Sequence, residues 1–492
     1  MAVIQRFTAF GKNDIRGIYS EDITEELFYY VGKAYVKYVQ ENSSLDAKSI
    51  WITVAQDARL HSESLTNSLT KGITHAGANV VNLGLAPTPL GYYSEFSGIP
   101  RNIINNGSII GSLIVTASHN PSEYNGLKLT YNKASLTEKD IKKLKELTIE
   151  QISNDETAAK YGIVRKFDLI PSYIENMLQN FSHIDCSKIK VVVDSANATA
   201  GVVAPKLYKE LGCEVIELFS EPDGTFPNHH PNPSDESTLD TLKAKVVETN
   251  ADIGIAFDGD SDRIGVIDST GKYLTGDKLL LIYALDIIKD LVNRGEKPAI
   301  VSEVKCSQVL YDTIEKHGAQ AVMCKTGHGY IKDKMKETKA ILAGEMSGHM
   351  FFKDRYYGFD DAVYAGCRII EIIAKNKNIN PGFRLEDLIL PFKEVFTSKE
   401  VRFKCPNELK KAVITLLTNK IEANKMIFEE NIKEILTLDG LRIVFPDGFA
   451  LIRQSNTEPV FTLRFEAKTK KKSEQYKKIM LNIVEECIDE CK

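Results

Sequence analysis

Thr116-Ala117-Ser118-His119-Asn120-Pro121 is a short polar stretch that follows a mostly apolar run at 109–115. The apolar run predicts a buried strand, and the proline after asparagine stops that strand and favours a turn. In open α/β sheets, ligand sites lie at the carboxyl ends of strands. We therefore predict that the hydroxyl of Ser118 is held on a tight loop at such an end. Taken alone, the segment favours an ordinary strand-end turn, and three other segments change that balance.

Strands and helices alternate along the chain around this stretch. Strands are predicted at 50–54, 80–83, 189–193, 214–218, 253–257, 299–303 and 321–324, and helices at 27–39, 65–76, 239–249 and 309–317. This alternation argues for parallel strands joined by right-handed crossovers. The pattern indicates one α/β unit used three times, with loops that differ between the copies.

The character of the chain changes after Pro381. Strands at 441–445, 449–454 and 460–467 are joined by short turns and flanked by helices at 407–419 and 473–487. Short turns between strands predict an antiparallel sheet in a small α+β domain. The predicted fold class is therefore α/β: three related mixed-sheet domains followed by a smaller C-terminal α+β domain. We place the domains at 1–158, 159–270, 271–385 and 386–492.

The bulk composition restricts the class of partner and the compartment. The chain has 492 residues, with 62 Lys and Arg against 67 Asp and Glu. Without a basic excess, nucleic acid is not an expected partner. Eight cysteines lack paired metal spacing and are interpreted as reduced thiols. No signal peptide and no membrane-length apolar run are found, so we expect a soluble, cytoplasmic protein without a membrane partner.

A second polar loop, Asp258-Gly259-Asp260-Ser261-Asp262-Arg263, directly follows the predicted strand 253–257. Three carboxylates at alternate positions repel one another unless a hard cation lies between them, and Mg²⁺ or Ca²⁺ fits oxygen ligands best. An EF-hand loop would need Gly at the sixth position and Glu at the twelfth, where this chain has Arg263 and Ser269. Three carboxylates leave Mg²⁺ with open positions, which a phosphate oxygen commonly fills.

Two further loops carry weaker signals. Gly344-Glu345-Met346-Ser347-Gly348-His349 offers donors and acceptors suited to vicinal hydroxyls, although in isolation a plain β-turn is the better interpretation. The loop 453–459 combines an arginine, hydroxyls and an amide, which would form a phosphate cradle or merely a polar hairpin turn. Taken together, the four loops favour phosphoryl transfer on a phosphosugar, because that chemistry depends on positioning and on cations around the moving group.

The loops, in this order, resemble those of the α-D-phosphohexomutase superfamily, and most closely its bacterial phosphomannomutase/phosphoglucomutase branch. The resemblance covers essentially the whole chain. It rests on the motifs at 14–17, 116–121, 125–128, 224–228, 258–263, 325–328, 344–349 and 453–459. It implies four domains around one central cleft and an isomerase that moves a phosphoryl group within a hexose phosphate.

The resemblance also implies a role for individual residues. Ser118 would be the phosphorylated serine, and Mg²⁺ would be held by its phosphate together with Asp258, Asp260 and Asp262. Arg16, His119, Lys128 and Arg263 would line the phosphotransfer centre, with Lys128 or a nearby histidine as general acid/base. Substrate would be bound by Lys305, His328, Glu345, Ser347 and His349, and the phosphate that does not react by Arg453, Ser455, Asn456 and Thr457.

The implied reaction has two phosphoryl transfers. Phosphoserine gives its group to a hexose phosphate, the resulting hexose 1,6-bisphosphate reorients, and the other phosphate returns to Ser118. The bisphosphate would also act as an activator, and the protein would be a monomer or weak dimer acting on small molecules. Whether mannose or glucose is preferred stays open.

Four alternatives accompany this interpretation. A phosphoglucosamine mutase performs the same chemistry on an amino sugar. A metal-dependent phosphomonoesterase would need only the loops of Ser118 and Asp258, and a Ca²⁺-binding module is disfavoured by the broken EF-hand pattern. A serine hydrolase is poorly supported, because adjacent Ser118 and His119 side chains are expected to point apart and no nucleophile-elbow pattern surrounds them.

Overall fold

A computed structural model describes residues 7–105, 107–455 and 459–492. The chain divides into two compact units. Unit 1 comprises Met1–Thr275 and Ser347–Arg384, and unit 2 comprises Gly276–Met346 and Leu385–Lys492. The elements are numbered in chain order.

The first segment of unit 1 is a mixed sheet with helices. Its elements are β1 (Ile15–Ile18), α1 (Glu25–Ser43), β2 (Trp51–Gln56), α2 (Ser62–His75), β3 (Asn79–Leu85), α3 (Thr88–Phe96), β4 (Ile109–Val115), β5 (Tyr124–Tyr131), β6 (Ala134–Ser135), α4 (Glu138–Asn154) and β7 (Val164–Lys166). The strand order is β1-β5-β4-β2-β3-β7. β2 is parallel to β3 and β4, whereas β5 is antiparallel to both β4 and β1.

Helix boundaries in this segment follow local chemistry. The hydroxyl of Thr24 accepts a hydrogen bond from the Leu27 N–H at 3.1 Å and starts α1. Thr137 and Asp140 form a reciprocal capping box that starts α4. The buried face of α1 contributes Leu27 and Val31 to the core between helices and sheet. These contacts confirm the helices predicted from apolar spacing.

The second segment repeats the plan with five strands. Its elements are α5 (Ile170–Asn180), β8 (Lys190–Asp194), α6 (Ala204–Glu210), β9 (Glu214–Leu218), α7 (Asp240–Thr249), β10 (Ile253–Phe257), β11 (Ile264–Asp268) and β12 (Tyr273–Leu274). The order is β12-β11-β10-β8-β9. β8 is parallel to β9 and β10, while β11 pairs antiparallel with β10 and β12. Both sheets combine parallel strands with antiparallel pairing toward one edge, so both are mixed, as predicted.

The third segment is shared between the units. Unit 2 contains α8 (Gly276–Asn293), β13 (Ala299–Glu303), α9 (Gln308–Lys316), β14 (Gln320–Cys324), α10 (His328–Thr338) and β15 (Leu342–Gly344), and unit 1 contains β16 (Met350–Phe352) and α11 (Ala362–Ile379). β13 lies between β14 and β15 and is parallel to both.

The last segment is an antiparallel sheet covered by two helices. After a 3₁₀ stretch, Leu385–Glu394, its elements are β17 (Phe396–Thr397), β18 (Val401–Lys404), α12 (Lys410–Ala423), β19 (Glu434–Leu436), β20 (Leu441–Phe445), β21 (Gly448–Gln454), β22 (Val460–Ala467) and α13 (Lys470–Cys491). The order is β17-β22-β21-β20-β19, and β18 also pairs with β22. The fold class of three α/β segments and a smaller α+β segment is confirmed. Among the described residues, no helix is both long enough and apolar enough to span a membrane.

Candidate active site

Ser118 lies on the loop that follows β4, with its backbone in the left-handed region at φ 52°. Its N–H donates to the hydroxyl of Thr116 at 2.8 Å. Its own hydroxyl donates to a carboxylate oxygen of Asp258 at 2.7 Å, across 140 residues of sequence. The structure therefore places Ser118 on a tight strand-end loop, as predicted, and brings it directly to the aspartate loop.

The aspartate loop is the turn between β10 and β11. Asp258 Oδ1 accepts the N–H groups of Asp262 and Arg263, each at 3.1 Å. The carboxylates of Asp258, Asp260 and Asp262 are buried, with one oxygen from each within 4.8 Å of the others. Asp260 Oδ1 is buried and accepts no hydrogen bond from the described residues, and Asp262 Oδ1 is buried with His349 Nε2 3.4 Å away. Buried carboxylate oxygens in this arrangement fit a cation, so the loop is a potential metal site.

The charges around these carboxylates are unevenly balanced. Burial, together with Asp262 and Asp260, raises the pKa of Asp258 well above its ordinary value. Lys128, on β5, donates to Asp260 at 2.6 Å and also to Asp262. Burial alone would lower the pKa of Lys128, but the two carboxylates outweigh it and raise that pKa. The Lys128 ammonium thus partly neutralises the three buried carboxylates.

His119 is neutral in this environment. Burial, followed by the charges of Arg263 and Arg16, lowers its pKa far below the ordinary 6.5. Its Nδ1 lies 3.2 Å from the Ser118 hydroxyl oxygen. The expectation that the two side chains point apart is therefore wrong, since the left-handed backbone at Ser118 lets neighbouring side chains meet. The ring is therefore a weak base that lies within hydrogen-bond distance of the seryl oxygen.

Two arginines approach the same loops. Arg16, on β1, donates to Asn120 at 2.7 Å and to Asp14 at 2.6 Å. Its Nε is buried and has no hydrogen-bond partner in the part of the chain that the structure describes. Arg263 lies 3.9 Å from Asp258 and donates through Nε to His349 at 3.3 Å. Both guanidinium groups could neutralise an anion bound near Ser118.

Ser347 and His349 also belong to unit 1. The hydroxyl of Ser347 lies 2.9 Å from His349 Nδ1, and His349 Nε2 lies 3.4 Å from Asp262. The predicted sugar-binding loop is thus in contact, at its C-terminal end, with the aspartate loop.

The other predicted substrate residues belong to unit 2. Glu345 accepts the N–H of Gly327 at 2.7 Å, immediately before His328 at the start of α10. Lys305 Nζ lies 3.5 Å from Glu303.

Arg453 lies near the end of β21 and is held by the carboxylate of Asp439. Its Nε and Nη2 both lie 2.8 Å from the same oxygen of Asp439, which also accepts the N–H of Thr326 at 3.0 Å. The carbonyl of Ser455 accepts from Lys410 at 2.9 Å. Asp439 thereby joins the loop before α10 to the predicted phosphate loop. Asn456 and Thr457 lie outside the described residues.

Residues outside the predicted motifs also support these loops. Thr88 contacts Asp260, and the hydroxyl of Thr199 donates to the carbonyl of Gly259 at 3.1 Å. Asp57 and Arg59 follow β2, which is parallel to β4; they contact each other, and Arg59 also contacts the Ser118 loop. Their position after a predicted strand was the available signal, because parallel neighbouring strands bring their C-terminal loops to one edge.

Comparison with known proteins adds an independent finding. Models of the phosphoglucomutase/phosphomannomutase family match the chain as α/β/α domain I over residues 8–157, domain II over 171–271, domain III over 275–389 and the C-terminal domain over 400–483. A phosphomannomutase/phosphoglucomutase of Pseudomonas aeruginosa is 37% identical over 473 residues, which cover 96% of this chain and 94% of that protein.

Solved structures of other proteins show the same similarity. A phosphoglucomutase/phosphomannomutase family protein from Burkholderia thailandensis has a TM-score of 0.85 at 33% identity and covers 98% of both chains. An N-acetylphosphoglucosamine mutase from Aspergillus fumigatus, solved with GlcNAc-6P and magnesium, shares the fold with a TM-score of 0.61 at 15% identity, over 98% of this chain and 96% of that one. The amino-sugar alternative is accordingly less well supported. The predicted resemblance is confirmed: the chain belongs to the phosphoglucomutase/phosphomannomutase family of the α-D-phosphohexomutase superfamily, and it is an enzyme of the phosphotransferase and isomerase type.

Proposed function

We propose that this enzyme interconverts hexose 6-phosphate and hexose 1-phosphate, with mannose or glucose as the sugar, through phosphorylated Ser118. The observation that carries the proposal is the 2.7 Å hydrogen bond from the Ser118 hydroxyl to Asp258. An unmodified seryl hydroxyl next to three buried carboxylates would not by itself transfer a phosphoryl group. A phosphoryl group on that oxygen, next to a cation held by the carboxylates, has the arrangement that phosphoryl transfer needs.

The donor set supports Mg²⁺ as the cation. Asp258, Asp260 and Asp262 would hold it, because they supply only oxygen ligands and leave positions open for a phosphate oxygen. Bound there, Mg²⁺ would neutralise charge on the phosphoryl oxygens. Lys128 and Arg263 lie against the same carboxylates and would balance the remaining charge.

The first transfer moves the phosphoryl group from Ser118 to the hexose phosphate. The bond between phosphorus and the Ser118 oxygen breaks, and a bond forms between phosphorus and the free hydroxyl oxygen of the hexose phosphate. A general acid/base carries the hydroxyl proton of the hexose phosphate to the seryl oxygen as the phosphoryl group moves, and His119 and Lys128 are the two candidates for this role. After the hexose 1,6-bisphosphate reorients, the reverse steps return its other phosphate to Ser118. Arg16 and Arg263 would stabilise the charge on the moving group.

We propose that substrate recognition uses Lys305, His328, Glu345, Ser347 and His349. Glu345 and Ser347 offer the acceptors and donors that sugar hydroxyls need. Arg453 presents a guanidinium already oriented by Asp439, which suits a phosphate that is held without reacting. Ser455, Asn456 and Thr457 would complete that phosphate loop.

The domain boundaries, the activator, the oligomeric state and the compartment are also proposals. We retain domain boundaries at 1–158, 159–270, 271–385 and 386–492, hexose 1,6-bisphosphate as activator, and a monomer or weak dimer in the cytoplasm. The net charge of −5 supports a small-molecule substrate rather than a nucleic acid.

The decisive experiment compares wild type with Ser118→Ala in a coupled assay using mannose 1-phosphate, glucose 1-phosphate and glucosamine 1-phosphate, with hexose 1,6-bisphosphate added. We expect turnover of the hexose phosphates to fall at least about 10³-fold in Ser118→Ala. Ser122→Ala is the matched control, because it removes an exposed hydroxyl from the same loop.

Three results would contradict the proposal. They are unchanged turnover in Ser118→Ala, stoichiometric release of inorganic phosphate, and an active wild-type enzyme whose intact mass shows no added phosphate. Preference for glucosamine 1-phosphate would instead assign the enzyme to the amino-sugar reaction.

A further inference from the structure

Arg59 is a buried arginine that none of the sequence motifs includes. It lies on the loop after β2, and its side chain has no exposed surface. Because β2 runs parallel to β4 and pairs with it, the loop of Arg59 lies at the same sheet edge as the loop of Ser118. The role of this side chain is therefore tied to the phosphorylated serine.

The guanidinium of Arg59 is surrounded by main-chain carbonyl groups of the Ser118 loop. Its Nη2 donates to the carbonyls of Ser118 at 2.9 Å and Asn120 at 2.6 Å. Its Nη1 donates to the carbonyls of Pro121 at 2.5 Å and Tyr124 at 3.1 Å. Four carbonyls between residues 118 and 124 thus converge on one planar cation.

Arg59 is itself held in place from two sides. Its Nε donates to Asp57 Oδ2 at 3.0 Å, and Asp57 Oδ1 accepts from the Arg59 N–H at 3.0 Å and from Ser62 at 2.6 Å. The guanidinium carbon lies 5.3 Å from the centre of the Phe226 ring. All five N–H donors of the guanidinium are used: one by Asp57 and four by the Ser118 loop.

The carbonyl of Ser118 has little room to move. A Cβ at Gly259, in the aspartate loop, would lie 2.3 Å from this oxygen, so the two loops touch through their backbones. Ser118 also has a left-handed backbone, which a non-glycine residue keeps only when its surroundings enforce it. A displacement of the loop backbone would carry the Cα of Ser118, and with it the seryl oxygen, away from Asp258.

We propose that Arg59 is a positioning residue that fixes the backbone of the Ser118 loop, so that the group on the seryl oxygen stays aligned with the aspartate loop. The proposal rests on the function proposed above for Ser118. Arg59 touches main-chain carbonyls, not the reacting atoms. Its planar fork is required, because a lysine ammonium has three donors at a single point and cannot reach four carbonyls and Asp57 together.

The test uses Arg59→Lys, with Arg368→Lys as matched control. Arg368 is also buried in unit 1, where it donates to Asp354 at 2.8 Å and lies 3.3 Å from Glu371. Both variants keep a positive charge and lose a buried guanidinium. We expect Arg59→Lys to lower kcat about 10²-fold with KM changed less than about threefold, because misplacement by an ångström can cost that much. Arg368→Lys should keep kcat within about twofold while lowering Tm.

Hydrogen–deuterium exchange distinguishes a local loosening of the Ser118 loop from a general loss of protein stability. In Arg59→Lys we expect faster exchange confined to amides 117–125. A loss of kcat equal in both variants, a rise in KM at constant kcat, or unchanged exchange at 117–125 would overturn the proposal. If Arg59→Lys does not fold, Asp57→Asn, which weakens the orientation of Arg59, must show the same exchange pattern and a smaller loss of kcat. The exchange result does not depend on turnover, so failure of the Ser118 mechanism would be seen separately in Ser118→Ala.

Discussion

Thr88 donates two hydrogen bonds to Asp260, a residue 172 positions later in the chain. Its hydroxyl reaches the carboxylate at 2.6 Å, and its N–H reaches the main-chain carbonyl at 2.9 Å. Thr88 is the first residue of α3 and has no exposed surface. The central aspartate of the proposed metal site is therefore oriented by a helix start in the first segment.

Thr88→Val should weaken Mg²⁺ binding by about tenfold, because residues that orient ligands typically contribute this much to metal affinity. The change removes the hydroxyl and keeps the shape of the side chain. Isothermal titration calorimetry with MgCl₂ would measure it. Thr148→Val is the control, since Thr148 is also buried in unit 1 but donates only within its own helix, to Leu144 at 2.8 Å. Equal Mg²⁺ affinity in Thr88→Val and wild type would show that Thr88 does not orient the site.

Asp258→Asn should remove Mg²⁺-dependent activity and yet keep or raise the Tm of the metal-free protein. Burial and the neighbouring carboxylates raise the pKa of Asp258, so its charged form costs folding free energy at neutral pH. Chelation by EDTA should inactivate wild type, and added MgCl₂ should restore it. Asp268→Asn, another buried aspartate at the end of β11, is expected to keep its Mg²⁺ response. A Tm of metal-free Asp258→Asn several degrees below wild type would contradict this account.

Asp361→Asn should change how the stability of unit 1 depends on pH. Burial raises the pKa of Asp361 from 3.8 to about 6, although hydrogen bonds from the Tyr364 N–H and the Tyr356 hydroxyl oppose the shift. The native state thus binds the proton more tightly than the unfolded chain. The stability that this proton provides is fully present below pH 3.8 and is lost as pH rises through 6. It amounts to about 3 kcal/mol.

The Asn variant cannot lose that proton, so its Tm minus that of wild type should increase between pH 4.5 and pH 7. Thermal melts over this range would measure the difference. Asp168→Asn is the control, since Asp168 is exposed and accepts only a turn hydrogen bond from Ile170 at 3.0 Å. A Tm difference for Asp361→Asn that is flat with pH would exclude a raised native pKa.

Arg453→Ala should raise KM about tenfold or more and leave kcat within a few-fold, because an anion clamp that acts equally on substrate and transition state affects binding alone. Steady-state kinetics with glucose 1-phosphate would show whether KM rises while kcat stays nearly constant. Arg402→Ala is the control: Arg402 is exposed and faces Thr462 of β22 from one side, as Arg453 does from the other. A normal KM in Arg453→Ala would remove the phosphate-clamp assignment.

Many of the strands and helices can be predicted from the local pattern of apolar and polar residues in the sequence. The strands predicted at 441–445 and 460–467 have the bounds of β20 and β22. No helix is predicted at 88–96 from the sequence, because the prolines at 87 and 89 are typical of a break in regular structure. The structure places Thr88 and Pro89 in the first turn of α3, where a missing N–H has no cost.

The sequence by itself determined the chemistry of the loops: a seryl hydroxyl after one strand, three alternate aspartates after another, and an arginine loop in the last segment. Each of these signals lies within a few consecutive residues. Only the tertiary structure decided which side chains hold those loops. The contact of Arg59 with Ser118 spans 59 residues and that of Thr88 with Asp260 spans 172. Such partners depend on strand order and on which loops share a sheet edge, and no local pattern encodes either.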